Sequence, residues 1–270
     1  LAGSFLATVL VVGAIVATSA SAAPPEFGRC VKVAHGTGEY NGANCVALEG
    51  GRNYNWVPGP GATPKFTTIV ELPVINSSGA SKTTISCEFA EGEGEYTGAK
   101  TETVKKLVFR DCETPEKPGE KPEEAFKRWC QNIGNFRGEI TASELSGELG
   151  YITATTLTGL DLKPLSGSNL AAFECGGANE TTERGMGTGV SRELQGSVIG
   201  RVLKINRMTT EGLVKYTVNR KGFQVPEHLE GGAKDTLTTL VGLVEKTPEP
   251  TTFSGLEEIT NAEALEVKTK

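Results

Sequence analysis

Apolar and polar residues alternate along several stretches of this chain. In Leu160-Asp161-Leu162-Lys163 and Val214-Lys215-Tyr216-Thr217-Val218 the apolar residues fall on one side of an extended chain and the polar ones on the other. That is the pattern of a half-buried antiparallel strand. Runs of Val, Ile, Thr, Leu and Phe, punctuated by Gly, Pro and Asn, predict strands over Arg29–Ala34, Lys65–Leu72, Thr83–Phe89, Val104–Arg110, Arg137–Thr141 and Leu149–Ile152. Further strands are predicted over Thr156–Lys163, Leu170–Cys175, Gln195–Ile205, Leu213–Val218, Thr236–Leu243 and Leu265–Lys268. Many short strands separated by turn residues predict a mainly β protein, an antiparallel β-sandwich or barrel-like domain.

One segment breaks this rhythm. Glu113–Glu124 (ETPEKPGEKPEE) is a charged, proline-rich loop with nothing to bury. It runs into Glu123–Asn132, where Pro122 precedes acidic residues and Phe126, Trp129 and Ile133 follow at i, i+3 and i+7. The spacing predicts one short helix, the only one expected, lying as a lid over an end of the sheet. An internal echo also stands out: Gly36–Ala43 reads GTGEYNGA and Gly92–Ala99 reads GEGEYTGA. Two turns using the same Gly and Tyr chemistry account for it; a duplicated ligand loop is the alternative.

The first 22 residues read differently from the rest. An apolar run from Phe5 to Val16 fades into Ala17-Thr18-Ser19-Ala20-Ser21-Ala22, whose A-x-A pattern predicts a secretory signal cleaved after Ala22. An uncleaved anchor is the alternative, and the one route to a membrane that the sequence offers. All six cysteines lie beyond this segment. An even count in an exported chain predicts disulfides, although sequence alone does not choose among the pairings. The preferred set is Cys30–Cys45, clamping a hairpin, Cys112–Cys130, closing the charged loop, and Cys87–Cys175. The expected organisation is a signal at 1–22, a small N-terminal disulfide-clamped hairpin module at 23–66, and an antiparallel β domain at 67–270 with its variable loop at 113–124.

Charge and composition narrow the functional classes. A net charge of −6 without a basic cluster argues against a nucleic-acid partner. Of 33 acidic residues only Asp111, Asp161 and Asp235 are aspartates, too scattered for an Asp-rich calcium loop. No C-x-x-C occurs, and His35 and His228 lie in no recognisable metal or triad context. No metal site, cofactor or catalytic residue is therefore expected. Gly176–Gly189 lacks the Lys-Ser/Thr of a phosphate loop and reads as a surface loop. Abundant glutamates leave open a secreted hydrolase acting through paired carboxylates, Glu39 and Glu95 in the echoing motifs being the pair to name. The strongest recognition character lies in Tyr54–Phe66 (YNWVPGPGATPKF), where Tyr54, Trp56 and Phe66 surround a rigid Pro/Gly turn. Exposed, such aromatics bind sugars or peptides; buried, Trp56 would plug the end of the core.

The segments GRCVKVAHGTGEYNGANCV, YNWVPGPG, CEFAEGEGEYTGAKT, VFRDCE, GLDLKP, GSVIGRVLKINRM and PEHLEGGAKD, in this order, resemble a large set of uncharacterised secreted proteins of soil actinobacteria. The resemblance implies no activity. It implies that the cysteines and the W-x-P-G segment are family features, and that 113–124 is a local expansion. The expectation is a protein secreted or held at a bacterial cell surface, a non-enzymatic binding or structural module for an envelope glycan, peptide or protein.

Overall fold

The computed structural model describes residues 25–46, 50–115, 127–153, 157–176, 189–229, 232–242 and 246–269. The signal at 1–22, most of the charged loop and the Gly-rich stretch 177–188 lie outside them. Among the described residues every regular element is a strand. They are β1 (Glu26–Lys32), β2 (Tyr54–Pro58), β3 (Lys65–Ser77), β4 (Thr84–Ser86), β5 (Phe89–Tyr96), β6 (Thr101–Arg110), β7 (Glu113–Pro115), β8 (Lys127–Gln131) and β9 (Ile140–Thr141). The second half holds β10 (Leu145–Thr153), β11 (Leu157–Pro164), β12 (Asn169–Cys175), β13 (Val190–Gly196), β14 (Val198–Val202), β15 (Thr209–Val218), β16 (Gln224–Val225), β17 (Leu237–Val241) and β18 (Thr247–Lys268).

All pairings are antiparallel, and they make one ring-like sheet. From β3 the ladder runs through β5, β6, β10, β11, β14 and β15 to β18, which returns to β3. A second circuit leaves β3 through β4, β7, β8, β12, β13 and β17 and also returns through β18. The two circuits part at a bulge. Around Leu72 and Pro73 on β3 and Gly255 on β18 the register shifts, between Glu71↔Leu256 and Val74↔Ser254. Leu72 takes a positive φ of 43° there, and a Cβ at Gly255 would press on Val70. Bulges bend strands and raise their twist, so one strand pair serves both circuits.

Inward side chains from both circuits form one hydrophobic cluster, including Val70, Leu107, Phe109, Leu145, Leu160, Leu170, Phe173, Leu194, Tyr216 and Phe253. A cavity of about 60 Å³ at its centre is lined by Val104, Leu162, Leu194, Val198, Leu237 and their neighbours. It has room for a few waters and no larger guest.

Several expectations are revised. The helix is replaced where it can be seen: Lys127–Gln131 is β8, and 123–126 lie outside the described residues. β8 pairs with β7 on one edge and β12 on the other, and satisfying both ladders overrides the local helical spacing. The hairpin is joined to the sheet, because Glu26–Gly28 of β1 pair with Glu266–Lys268 of β18 and Phe27 enters the common core. The boundary at 66/67 falls inside β3.

The disulfides are Cys30–Cys45, Cys87–Cys112 and Cys130–Cys175. The first is the expected bridge; Cys112–Cys130 and Cys87–Cys175 are not formed. Strand register decides this. Ser86 opposite Glu113 brings Cys87 to Cys112, Cα atoms 4.0 Å apart. Cys130 faces Cys175 directly across β8 and β12, 4.1 Å apart.

Candidate functional site

β2 carries Tyr54 and Trp56 on one face by its period of two, both half-buried. Trp56 stands opposite Cys30 on β1, and its indole lies over Gly28, where a Cβ would run into Cζ2. The indole N–H donates to Glu26 Oε1 at 2.6 Å. Phe66 does not join them. It faces inward on β3, 2 % exposed, with its ring centroid 5.0 Å from Tyr96, which in turn meets Phe27 at 4.6 Å. Alternation along β3 places Lys65 and Thr67 outside and Phe66 inside, so Phe66 belongs to the core and not to an exposed aromatic surface.

The ring that shares the Lys268 ammonium with Trp56 is that of Tyr40. It lies in the loop that Cys30–Cys45 closes and is bridged to the main chain of Tyr54. The Lys268 ammonium sits between the two rings, 4.5 Å from the Tyr40 centroid and 4.6 Å from Trp56. Nothing in the sequence announces this meeting of positions 40, 56 and 268.

The echoing motifs prove to be different structures. Residues 36–43 form an irregular loop, while Gly92–Tyr96 belong to β5. Glu39 is exposed in the first; Glu95 lies on the outer face of the sheet. His35 is exposed, its Nδ1 2.9 Å from Asn53 Oδ1, and His228 is exposed.

Two places concentrate carboxyl groups. The first is internal. Glu257 accepts hydrogen bonds from Thr68 at 2.7 Å and Tyr216 at 2.8 Å, and the Tyr96 hydroxyl donates to Asn261 at 2.8 Å. Glu102, 3 % exposed, has its carboxyl pushed up to about 8 by burial and by the charge of Glu257. Burial also raises Glu257, against the pull of its two hydroxyl donors, and raises Tyr96 and Tyr216. The void beside Glu102 and Tyr96 is about 30 Å³, so this network holds protons but admits no substrate. A lesser case is Asp161 on β11, raised to about 6 by burial and then by Asp235.

The second place is open. On the outer face of β18, β3, β5 and β6 a groove of about 360 Å³ is lined by Lys65, Thr67, Glu93, Glu95, Lys105 and Thr260, with others. Lys105 pairs with Glu95 at 2.7 Å. Glu93 and Glu95, two residues apart on one strand face, stand roughly 7 Å apart at their backbones. Among the described residues no group of three His, Cys, Asp or Glu could hold a metal, and no helix is long and apolar enough to cross a membrane.

No protein-family model matches the chain, and neither the curated proteins nor the solved structures contain a match to it.

Proposed function

We propose that this is an exported, non-enzymatic β protein of a bacterial surface or its surroundings, binding an envelope glycan or peptide through the outer groove. The observation that carries this reading is the groove itself: three adjacent strands hold Lys65, Glu93, Glu95 and Lys105, and β18 adds Thr260, at an open concavity of about 360 Å³, whereas the internal cavity holds about 60 Å³. A rigid sheet presenting charged and hydroxyl groups of both kinds suits a polar polymer at low ordering cost. Three disulfides fit an oxidising compartment.

Purified protein incubated with isolated cell-envelope material tests this. Co-sedimentation without release of soluble sugars or peptides is expected, and reversing Lys65→Glu with Lys105→Glu should abolish it. Retention unchanged by the double variant would remove the groove from the account. A hydrolase is the second reading, favoured by Glu93 and Glu95 side by side. It predicts release that disappears in both Glu93→Gln and Glu95→Gln.

A further inference from the structure

A strap of the chain itself covers the outer face of β10, β11 and β14. Leu149, Leu160, Leu162 and Val198 face the core. Alternation therefore turns Glu148 and Gly150 of β10, Gly159, Asp161 and Lys163 of β11, and Ile199 and Arg201 of β14 outward. The strap, residues 226–229 and 232–236, leads from β16 to β17. Leu229 seats its two methyl groups on Gly150 and Gly159, which stand opposite each other, and a Cβ on either would press on it. Ile199 borders the same spot and is 0 % exposed.

Among the described residues few bonds hold the strap down. The Ser197 hydroxyl donates to Asp235 Oδ1 at 2.5 Å, and Ser197 N–H to Thr236 O at 3.2 Å. Other bonds stay within it: Asp235 N–H to Glu227 O at 2.7 Å and the Lys234–Glu227 ion pair at 2.7 Å. Segments with few buried contacts open locally at small free-energy cost.

The face beneath is acidic. Asp161 is 7 % exposed, and its Oδ1 is buried with no hydrogen-bond partner. Glu148 stands opposite it on β10 and Ile199 on β14. Ser197 adjoins Val198, the partner of Leu162, so its bond holds Asp235 of the strap beside Asp161. From beneath the sheet Tyr216 feels the Asp161 charge. The neighbouring cations are engaged or out in solvent: Lys163 pairs with Glu148 at 3.3 Å, Lys234 with Glu227, and Arg201 and His228 are exposed. Burial, then the charge of Asp235, raises the Asp161 carboxyl from 3.8 to about 6, against the pull of Lys163.

We propose that the strap is a pH-operated cover, closed in acid where Asp161 is protonated and released when Asp161 ionises beside Asp235, baring Ile199 and the glycine floor. The sign follows from linkage: a carboxyl raised in the closed form favours closure below its ordinary value, and that advantage is lost as pH rises through the raised one. The cover lies apart from the outer groove and stands or falls without it.

Hydrogen exchange of the Ser197 and Asp235 amides in the full chain, disulfides intact, tests this. Each rate is divided into that of an unstructured chain at the same pH. Protection should fall roughly 50-fold between pH 4 and pH 8 and level off above about pH 7. In Asp161→Asn it should be independent of pH. No fall in the unsubstituted protein, or an equal fall in Asp161→Asn, overturns the proposal. If that variant fails to fold, Asp235→Asn replaces it, and its fall must be smaller than in the unsubstituted protein; an equal one refutes the cover. If neither folds, the shape of the unsubstituted profile decides. Levelling above about pH 7 while amides of the β5–β6 ladder behave differently supports local release, whereas a decline in step with those amides refutes it.

Discussion

Replacing Glu102 by glutamine isolates the cost of burying one carboxyl inside the ring. In the folded chain Glu102 loses its proton only near pH 8, against a usual value of 4.5. Between those values the native state holds a proton that the unfolded state has released, so stability falls as the pH rises through this window. The whole shift corresponds to about 5 kcal/mol, of which about 4 kcal/mol falls between pH 5 and pH 9. At pH 7 the loss already amounts to about 3 kcal/mol. Glu102→Gln removes this loss but introduces an amide whose extra donors lack an acceptor, costing about 1–3 kcal/mol. The absolute stability at pH 7 therefore changes little or rises slightly, and the slope is the informative quantity. Urea unfolding of both proteins at a series of pH values, disulfides intact, measures it. The variant should keep only the shallower decline due to Glu257, Glu266 and Asp161, whose carboxyls are also raised by burial. Parallel profiles for the two proteins would refute the placement of a neutral Glu102 in the core.

Other expectations follow from register and packing. Non-reducing peptide mapping should recover Cys87 linked to Cys112 and Cys130 linked to Cys175. Replacing Cys130 and Cys175 by serine, which opens a separation of 45 residues, should cost about 4 kcal/mol in the chain-entropy picture, against about 3 kcal/mol for the Cys30–Cys45 pair; urea midpoints rank them, and the reverse order would contradict it. Gly94→Val should destabilise by about 1–3 kcal/mol, read by thermal denaturation, because a Cβ there meets both Phe66 and the Thr103 carbonyl. Trp56→Phe should cost about 1–3 kcal/mol by leaving Glu26 Oε1 without its indole donor; an unchanged melting temperature would show that bond to be idle.

The alternation of apolar and polar residues carried the fold class, because the pleat of a strand sends successive side chains to opposite faces whatever lies around it. Strands such as β6, β11, β12 and β15 were legible for that reason. β5 was not: its inward residues include Gly92 and Gly94, small because Phe66 and Thr68 fill their places from β3, so the segment reads as a polar loop. Most of β18 was hidden for a related reason, since Glu257 and Asn261 face the interior and break the apolar period. The Cys30–Cys45 bridge was readable from two cysteines flanking one loop, whereas the other two depended on which strands became neighbours. The site divided the same way. Trp56 and Tyr54 could be singled out as aromatics on a stiff segment, but Phe66 was drawn into the core by its parity on β3. Lys268 reaches the rings of Tyr40 and Trp56 only because the last three pairs of β18 close against β1. Local pattern sets which way a side chain points; which distant side chain it meets is decided by ladder register, and that is a property of the assembled sheet.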